Sequence, residues 1–247
     1  MKYMKNIIAC IFLLLAVNCL QAQSSDNMVQ AAALLAKAGQ ALKHNSLSFD
    51  LHYTFANEHQ PNILLDSLNG SMQVSPGNER MELGSSLIVR NPRYTIIVFK
   101  DDKLIHLSKF RQMDTVSISP LEMMTTSIKQ AGVQSCSIKQ HGDTTIIRFA
   151  FPAAAYKYLE IKMDSKSFLV YEFEYLVKSS LLSEQNSPSG VVYEPYALVK
   201  ASFDHYKKGI VDPTVFDENQ FFTRKADTLL PAIGYEEYEV FVGTPNI

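Results

Sequence analysis

Tryptophan is absent from this chain, and cysteine nearly so. Of 3 cysteines in 247 residues, Cys10 and Cys19 fall in an N-terminal leader, which leaves Cys136 alone. One thiol cannot close an internal disulfide, so the mature protein must be held together by packing. Cys136 lies in the strand-like run VQSCSIKQ with no His–Cys pairing pattern around it, and reads as a buried, inert thiol. Blocks of basic residues are also missing: 23 Lys and Arg stand against 25 Asp and Glu, a formal charge of -2. That balance argues against a nucleic-acid partner. There is no H-E-x-x-H, no G-x-S-x-G, no P-loop and no paired-cysteine motif, which removes the common hydrolytic, nucleotide and zinc chemistries. No repeat of fixed period appears, and no linker is long enough to divide the chain.

What the sequence does contain points to strands. There are 14 Phe and 12 Tyr, alongside many Val, Ile and Thr. SFDLHYTF alternates without a fault, with Phe49, Leu51, Tyr53 and Phe55 on one side and Ser48, Asp50, His52 and Thr54 on the other. At the N-terminus, Lys2 and Lys5 precede the apolar run IIACIFLLLAV, too short to span a bilayer comfortably. CLQAQ follows, with Ala22 at the cleavage position. Residues 1–22 are expected to be a secretory signal peptide, and residues 23–247 one exported, periplasmic domain. Two alternatives stand beside this: an uncleaved anchor, and a lipoprotein signal that lipidates Cys19 and tethers the protein to the outer membrane. Asn18 argues against the second, since a small residue is expected there.

The mature chain opens with an amphipathic helix, in which Met28, Ala32, Leu35, Gly39 and Leu42 recur at three- and four-residue spacing. Strands follow: LSFDLHYTF, a polar break at ANEHQPN, then LNGSMQVS, a turn at SPGNE, RMELG, SSLIVR, and YTIIVFK paired with LIHLSKF across KDDK. SPLEMMTTSIKQAG then breaks the pattern. Ser119 as N-cap, Pro120 at the first helical position and Glu122 three residues after the cap make a capping box. Leu121, Met124, Ile128 and Ala131 form one stripe of that helix. A second meander runs from VQSCSIKQ to the long strand near Pro195, in which Leu169, Tyr171, Phe173, Tyr175 and Val177 are expected to share a face.

An exported chain that opens with a helix, runs into LSFDLHYTF, and places a helix between two meanders resembles the outer-membrane lipoprotein carrier (LolA/LolB-like) family, in a divergent Bacteroidetes-type form. The similarity spans most of residues 27–242, and NERMEL looks like the family pattern in which an arginine, here Arg80, begins a strand after a turn. The resemblance implies an α+β, mainly antiparallel β fold. It would be a curved, incomplete β-barrel with an N-terminal amphipathic helix and a second helix covering its concave face. It implies a periplasmic, non-catalytic carrier or binding protein that shelters a lipid or lipoprotein acyl chain in an apolar cavity, needing no cofactor. The helix from Ser119 to Ala131 would be the lid. Met123 and Met124 suit that role, because thioethers adapt to shapeless apolar guests, and Arg80 would be the lid-contacting arginine.

The expected cavity residues are Phe49, Leu51, Tyr53, Phe55, Leu121, Met123, Met124, Ile128, Ile147, Phe149, Phe151, Leu159, Ile161, Met163, Tyr171 and Phe173. A filled core made by the same side chains is the standing alternative, and would fit a cell-envelope protein-interaction module instead. Other constellations read as structural. His52 and His106 are expected on a wet face or an edge. Asp204 and His205 are neighbours in a strand, so their side chains are expected to point apart. Asp101 and Asp102 read as a hairpin tip rather than a metal site, and Glu172 and Glu174 as charges on a solvated face. DSL (Asp66–Leu68), DTV (Asp114–Val116), DTT (Asp143–Thr145) and DTL (Asp227–Leu229) resemble the acceptor of general O-glycosylation in Bacteroidetes, with turn chemistry as the plainer explanation.

Overall fold

The computed structural model describes residues 26–109, 128, 132–152, 155–182, 193–225 and 228–244. Helix α1 covers 26–43. Fourteen strands follow: β1 (Leu47–Asn57), β2 (Gln60–Ser75), β3 (Asn78–Leu83), β4 (Ser86–Arg90), β5 (Tyr94–Phe99), β6 (Leu104–Lys109), β7 (Ser135–His141), β8 (Thr144–Ala150), β9 (Tyr156–Asp164), β10 (Val170–Lys178), β11 (Tyr196–Lys208), β12 (Phe222–Lys225), β13 (Thr228–Pro231) and β14 (Glu239–Val242). Twelve of them form one sheet in the order β14-β6-β5-β4-β3-β2-β1-β11-β10-β9-β8-β7. Two meanders, β1–β6 and β7–β11, are joined where β1 pairs with β11. Every pairing in this sheet is antiparallel except β14 on β6. The two ends do not pair, so the sheet is open. Among the described residues no helix is long and apolar enough to cross a membrane.

The first hairpin is longer than its sequence implies. The polar stretch near residue 60 is only a two-residue turn, and β2 runs on for 16 residues. Register shifts at Phe55/Ala56 and Ala56/Asn57 absorb the mismatch. Gly70 lies where β2 approaches β3 most closely, since a Cβ there would sit 2.1 Å from the Glu82 carbonyl oxygen. Any larger residue would force the two strands apart.

The sheet is covered on both faces, by different parts of the chain. Alternation along β4 separates the two layers: Ile88 packs with Met81 and the α1 cluster, while Leu87 and Val89 pack with Phe216, Phe221 and Phe222. On one face, called here the α1 face, the helix lays Ala31 and Ala38 over Phe49, Leu51, Phe149, Ile161, Phe173 and Phe203. The stripe is turned one position from its expected setting, because Ala31 is buried and Ala32 exposed. In AAALLA the pattern does not distinguish adjacent alanines. On the back face, residues 211–225 and 228–240 cover β4–β6. The C-terminal segment is therefore a second structural layer rather than an appendage.

A polar clip fixes that layer. Asn91 and Glu218 are each 5 % exposed. Asn91 Nδ2 donates to the Phe216 carbonyl at 3.1 Å and to Glu218 Oε2 at 2.8 Å, and its Oδ1 accepts from the Arg93 and Tyr94 amides. Glu218 also pairs with Arg93. Buried polar groups that satisfy one another cost little, and they fix one arrangement of chain.

Candidate ligand-binding face

The α1 face is built from rows of directly opposed residues. One row runs Phe49, Met72, Met81, Ile88, Ile97, His106, Phe241 across seven strands. Burial weakens along it: Phe49, Met72 and Met81 are 4 %, 1 % and 7 % exposed, Ile88, Ile97 and His106 are half-buried, and Phe241 is 53 % exposed. Phe99 and Leu104, opposed in the next row, are half-buried as well. The face thus passes from a filled core beneath α1 to a partly open apolar surface over β4–β6.

A second row, Leu68, Tyr53, Ala201, Phe173, Ile161, Ile147 and Ile138, crosses the other half of the sheet. A third places Phe55 opposite Val199, Tyr175, Leu159, Phe149 and Cys136. Phe49, Leu51, Ile147, Phe149, Phe151, Leu159, Ile161, Met163 and Phe173 are all buried in one cluster, with Tyr53 packed against it. Phe55 is half-buried. Ile128 is helical and buried in the same cluster. Leu121, Met123 and Met124, with the rest of the expected lid from Ser119 to Ala131, lie outside the described residues. Cys136 is buried, and burial pushes its thiol up to about 11, which keeps it protonated and unreactive.

Tyrosines line the other half of this face, on β1 and β9–β11. Tyr53, Tyr156, Tyr175 and Tyr206 all pack against the α1 cluster. The Tyr206 hydroxyl donates to the Val170 carbonyl at 2.5 Å. The other three make no hydrogen bond to a described residue. Burial pushes the Tyr53 phenol up to about 12, and it raises Tyr175 further, helped by Tyr53 and Tyr156. Tyr53 and Tyr175 are thereby held as neutral phenols at ordinary pH.

Several expected positions are corrected by the structure. Tyr171 is the extra residue of a bulge between Val170 and Glu172, which turns it to the back face, where its hydroxyl donates to Thr144 Oγ1 at 2.8 Å. Val170 takes its place in the core. Arg80 is also on the back face, opposite Val89, and donates to the Val215 carbonyl at 3.3 Å. The alternation that puts Met81 under α1 excludes Arg80 from it. His106 is not on a wet face: it sits on the α1 face, stacked on Phe241 with ring centroids 5.5 Å apart.

Asp204 and His205 do meet, contrary to the strand rule. His205 adopts φ 51, a bulge conformation, opposite the register shift between Ser48 and Asp50. Its Nδ1 donates to Asp50 Oδ2 at 2.9 Å and lies 3.0 Å from Asp204 Oδ1. The three groups have the donor set of a cation site, and all are exposed.

The remaining charged groups are structural. Burial raises the Glu172 carboxyl, but hydrogen bonds from Lys162 and Lys200 outweigh it and hold the group below its ordinary value. Glu174 accepts from the Tyr158 hydroxyl at 2.9 Å. These pairs form a ladder across β9–β11 rather than an acid–base site. Asp101 and Asp102 lie in the β5–β6 turn. Of the Asp-Ser/Thr sites, Asp66–Leu68 lies within β2, Asp143 is in the β7–β8 turn with Thr145 buried, and Asp114–Val116 and Asp227 are outside the described residues. An open groove of about 510 Å³ flanks the Asn91–Glu218 clip. Its two buried polar side chains are bonded to each other, so it serves the clip.

No family model matches this chain, and no curated protein matches it. Among solved structures it is similar to an uncharacterized conserved protein from Thermus thermophilus, with 8% identity over 86% of this chain and 99% of that one and a TM-score of 0.47. It is similar to a LolA superfamily protein from Nitrosomonas europaea, with 10% identity over 76% and 97% of the two chains and a TM-score of 0.35. The lipoprotein LppX of Mycobacterium tuberculosis is a third, with 10% identity over 73% and 98% and a TM-score of 0.35. A protein of the LolA superfamily is thus among the structures that this chain is similar to.

Proposed function

We propose that this protein is an exported, non-catalytic carrier or binding protein that shelters one acyl chain of a lipid or lipoprotein on its α1 face. The observation behind this reading is the gradient of burial on that face. Ile88, Ile97, Phe99 and Leu104 belong to the same layer as a fully packed core, yet all are half-buried. Apolar surface left partly open beside a rigid core is what an apolar guest covers. Each methylene covered contributes about 0.8 kcal/mol, so ten carbons give a free energy adequate for reversible capture. Adding a fluorescent fatty acid to delipidated protein is expected to give saturable binding at one chain per protein. Native mass spectrometry of protein purified without detergent is expected to show a lipid-sized adduct. Absence of both results removes the proposal.

A second reading, a protein-interaction module of the cell envelope, is favoured by the far end of the first hairpin. Ile63 and Leu64 are 59 % and 54 % exposed, and Leu181 and Leu182 are 59 % and 41 % exposed. Two backbone amides tie these segments through residues 194 and 195: Glu194 N donates to Asn57 Oδ1, and Ser179 N donates to the Pro195 carbonyl.

A further inference from the structure

We propose that His106 is the polar contact of the bound chain, its ring Nδ1 donating a hydrogen bond to a carbonyl or carboxylate oxygen of the guest's head. This inference rests on the acyl-chain reading above and adds which end of the guest the sheet recognises, and where.

Among the described residues, His106 Nδ1 is the one buried side-chain nitrogen or oxygen without a hydrogen-bond partner. A dry, unpaired polar atom is costly, and its retention calls for a reason. Its place in the sheet supplies one. Alternation puts Thr95, Ile97 and Phe99 of β5 on the α1 face, with Leu104, His106 and Ser108 of β6 beside them. Phe99 is opposed to Leu104, Ile97 to His106, and Thr95 to Ser108. Arg90 of β4 extends the last of these rows, and is paired with Glu79 at 2.6 Å. Two largely apolar rows thus give way to a polar row of balanced charge, and His106 stands at the change. A chain whose tail lies over Ile88 and Ile97 brings its head to that line. The line suits a carbonyl or a single carboxylate, and a phosphate-rich head gains no ion pair from His106.

The neighbouring strand holds the ring. Phe241 of β14 stacks on it, with centroids 5.5 Å apart. Gly243 leaves room at its far side, since a Cβ there would stand 2.5 Å from Nε2. The residue as a whole is half-buried, so part of it meets the open side of the face. Nδ1 itself is covered as the ring stands. A half-turn about the Cβ–Cγ bond, a soft torsion, exchanges Nδ1 with Cδ2 and turns the nitrogen toward the guest. A neutral imidazole carries its proton on either nitrogen, so Nδ1 serves as the donor.

Two measurements test this, each with dodecanoate, methyl dodecanoate and dodecane. The first displaces a fluorescent fatty acid from wild type, His106→Leu and His106→Asn. His106→Leu is expected to lose about 3- to 10-fold in affinity for dodecanoate or its ester, the range for one hydrogen bond, and to keep dodecane. A loss confined to dodecanoate assigns a carboxylate head, and an equal loss for the ester assigns the carbonyl. His106→Asn, whose amide reaches the position of Nδ1, is expected to lose less. The second measurement needs no variant to bind: imidazole 15N spectra of wild type, in which the His106 signal is identified by its absence from His106→Leu. Dodecanoate or its ester is expected to move the His106 Nδ1 signal, and dodecane to leave it in place. If wild type binds the probe but its His106 Nδ1 signal stays still, or if His106→Leu weakens dodecane as much as dodecanoate, the head contact is overturned and the carrier reading stands. If wild type binds no probe at all, the carrier reading itself fails.

Discussion

Replacing Phe173 with alanine is expected to lower stability by about 4 kcal/mol, within the range for large-to-small changes in a well-packed core. Phe173 is 1 % exposed and stands edge-on to Phe203, with ring centroids 5.0 Å apart. Phe203 in turn meets Phe49 edge-on at 6.1 Å. Removing the ring at the end of this chain leaves a cavity that Phe203 and Phe49 cannot fill, because they are held by strand register on β11 and β1. Urea unfolding measures the loss, and Phe173→Leu is expected to recover more than half of it. A cost below about 1.5 kcal/mol, the size of a volume-conserving swap, would mean that this end of the α1 face is not packed as described.

The second large effect comes from ending the chain at Gly209. Leu87, Val89, Ile96, Val98, Ile105 and Leu107 are all 2 % exposed or less, and their cover is drawn from residues beyond Gly209. Exposing six such side chains forfeits roughly 1.5–3 kcal/mol each, which meets or exceeds the 5–15 kcal/mol by which a domain is stable. The shortened chain also loses the Glu218 half of the clip, leaving Asn91 short of two acceptors. It is expected to show no cooperative thermal transition. A melt within a few degrees of the full-length protein would show that the back-face layer is dispensable.

Much of the fold was legible because alternation is a strong signal where it is unbroken. Leu51, Phe149, Ile161 and Phe173 were all assigned to the dry side of their strands, and all are buried together. The misses fall where the alternation slips. Tyr171 occupies a bulge, and the sequence YEFEY carries no mark of the extra residue. His205 adopts a left-handed conformation, which turns its ring onto Asp50 and Asp204. No glycine or asparagine marks that position, so nothing local announces it. The back-face core is hidden in the sequence for another reason. VDPTVFDENQFF reads as a loop, and it is made of short 3-10 turns whose Phe216 and Phe221 are buried by tertiary contact alone. The Asn91–Glu218 clip spans 127 residues, a pairing that no sequence pattern displays.

A polarity-sensitive dye on the α1 face is the most direct test of whether the open apolar surface takes an acyl chain. Ile97→Cys places the label on the half-buried part of that face, and Lys139→Cys places it on an exposed position as the reference. Native Cys136 is buried and its thiol is held protonated, so it will not compete for the label. Titration with dodecanoate is expected to shift the Ile97→Cys emission to shorter wavelength with saturation, and to leave the Lys139→Cys emission unchanged. Equal behaviour at the two positions, shifted or not, would contradict an apolar guest on the α1 face.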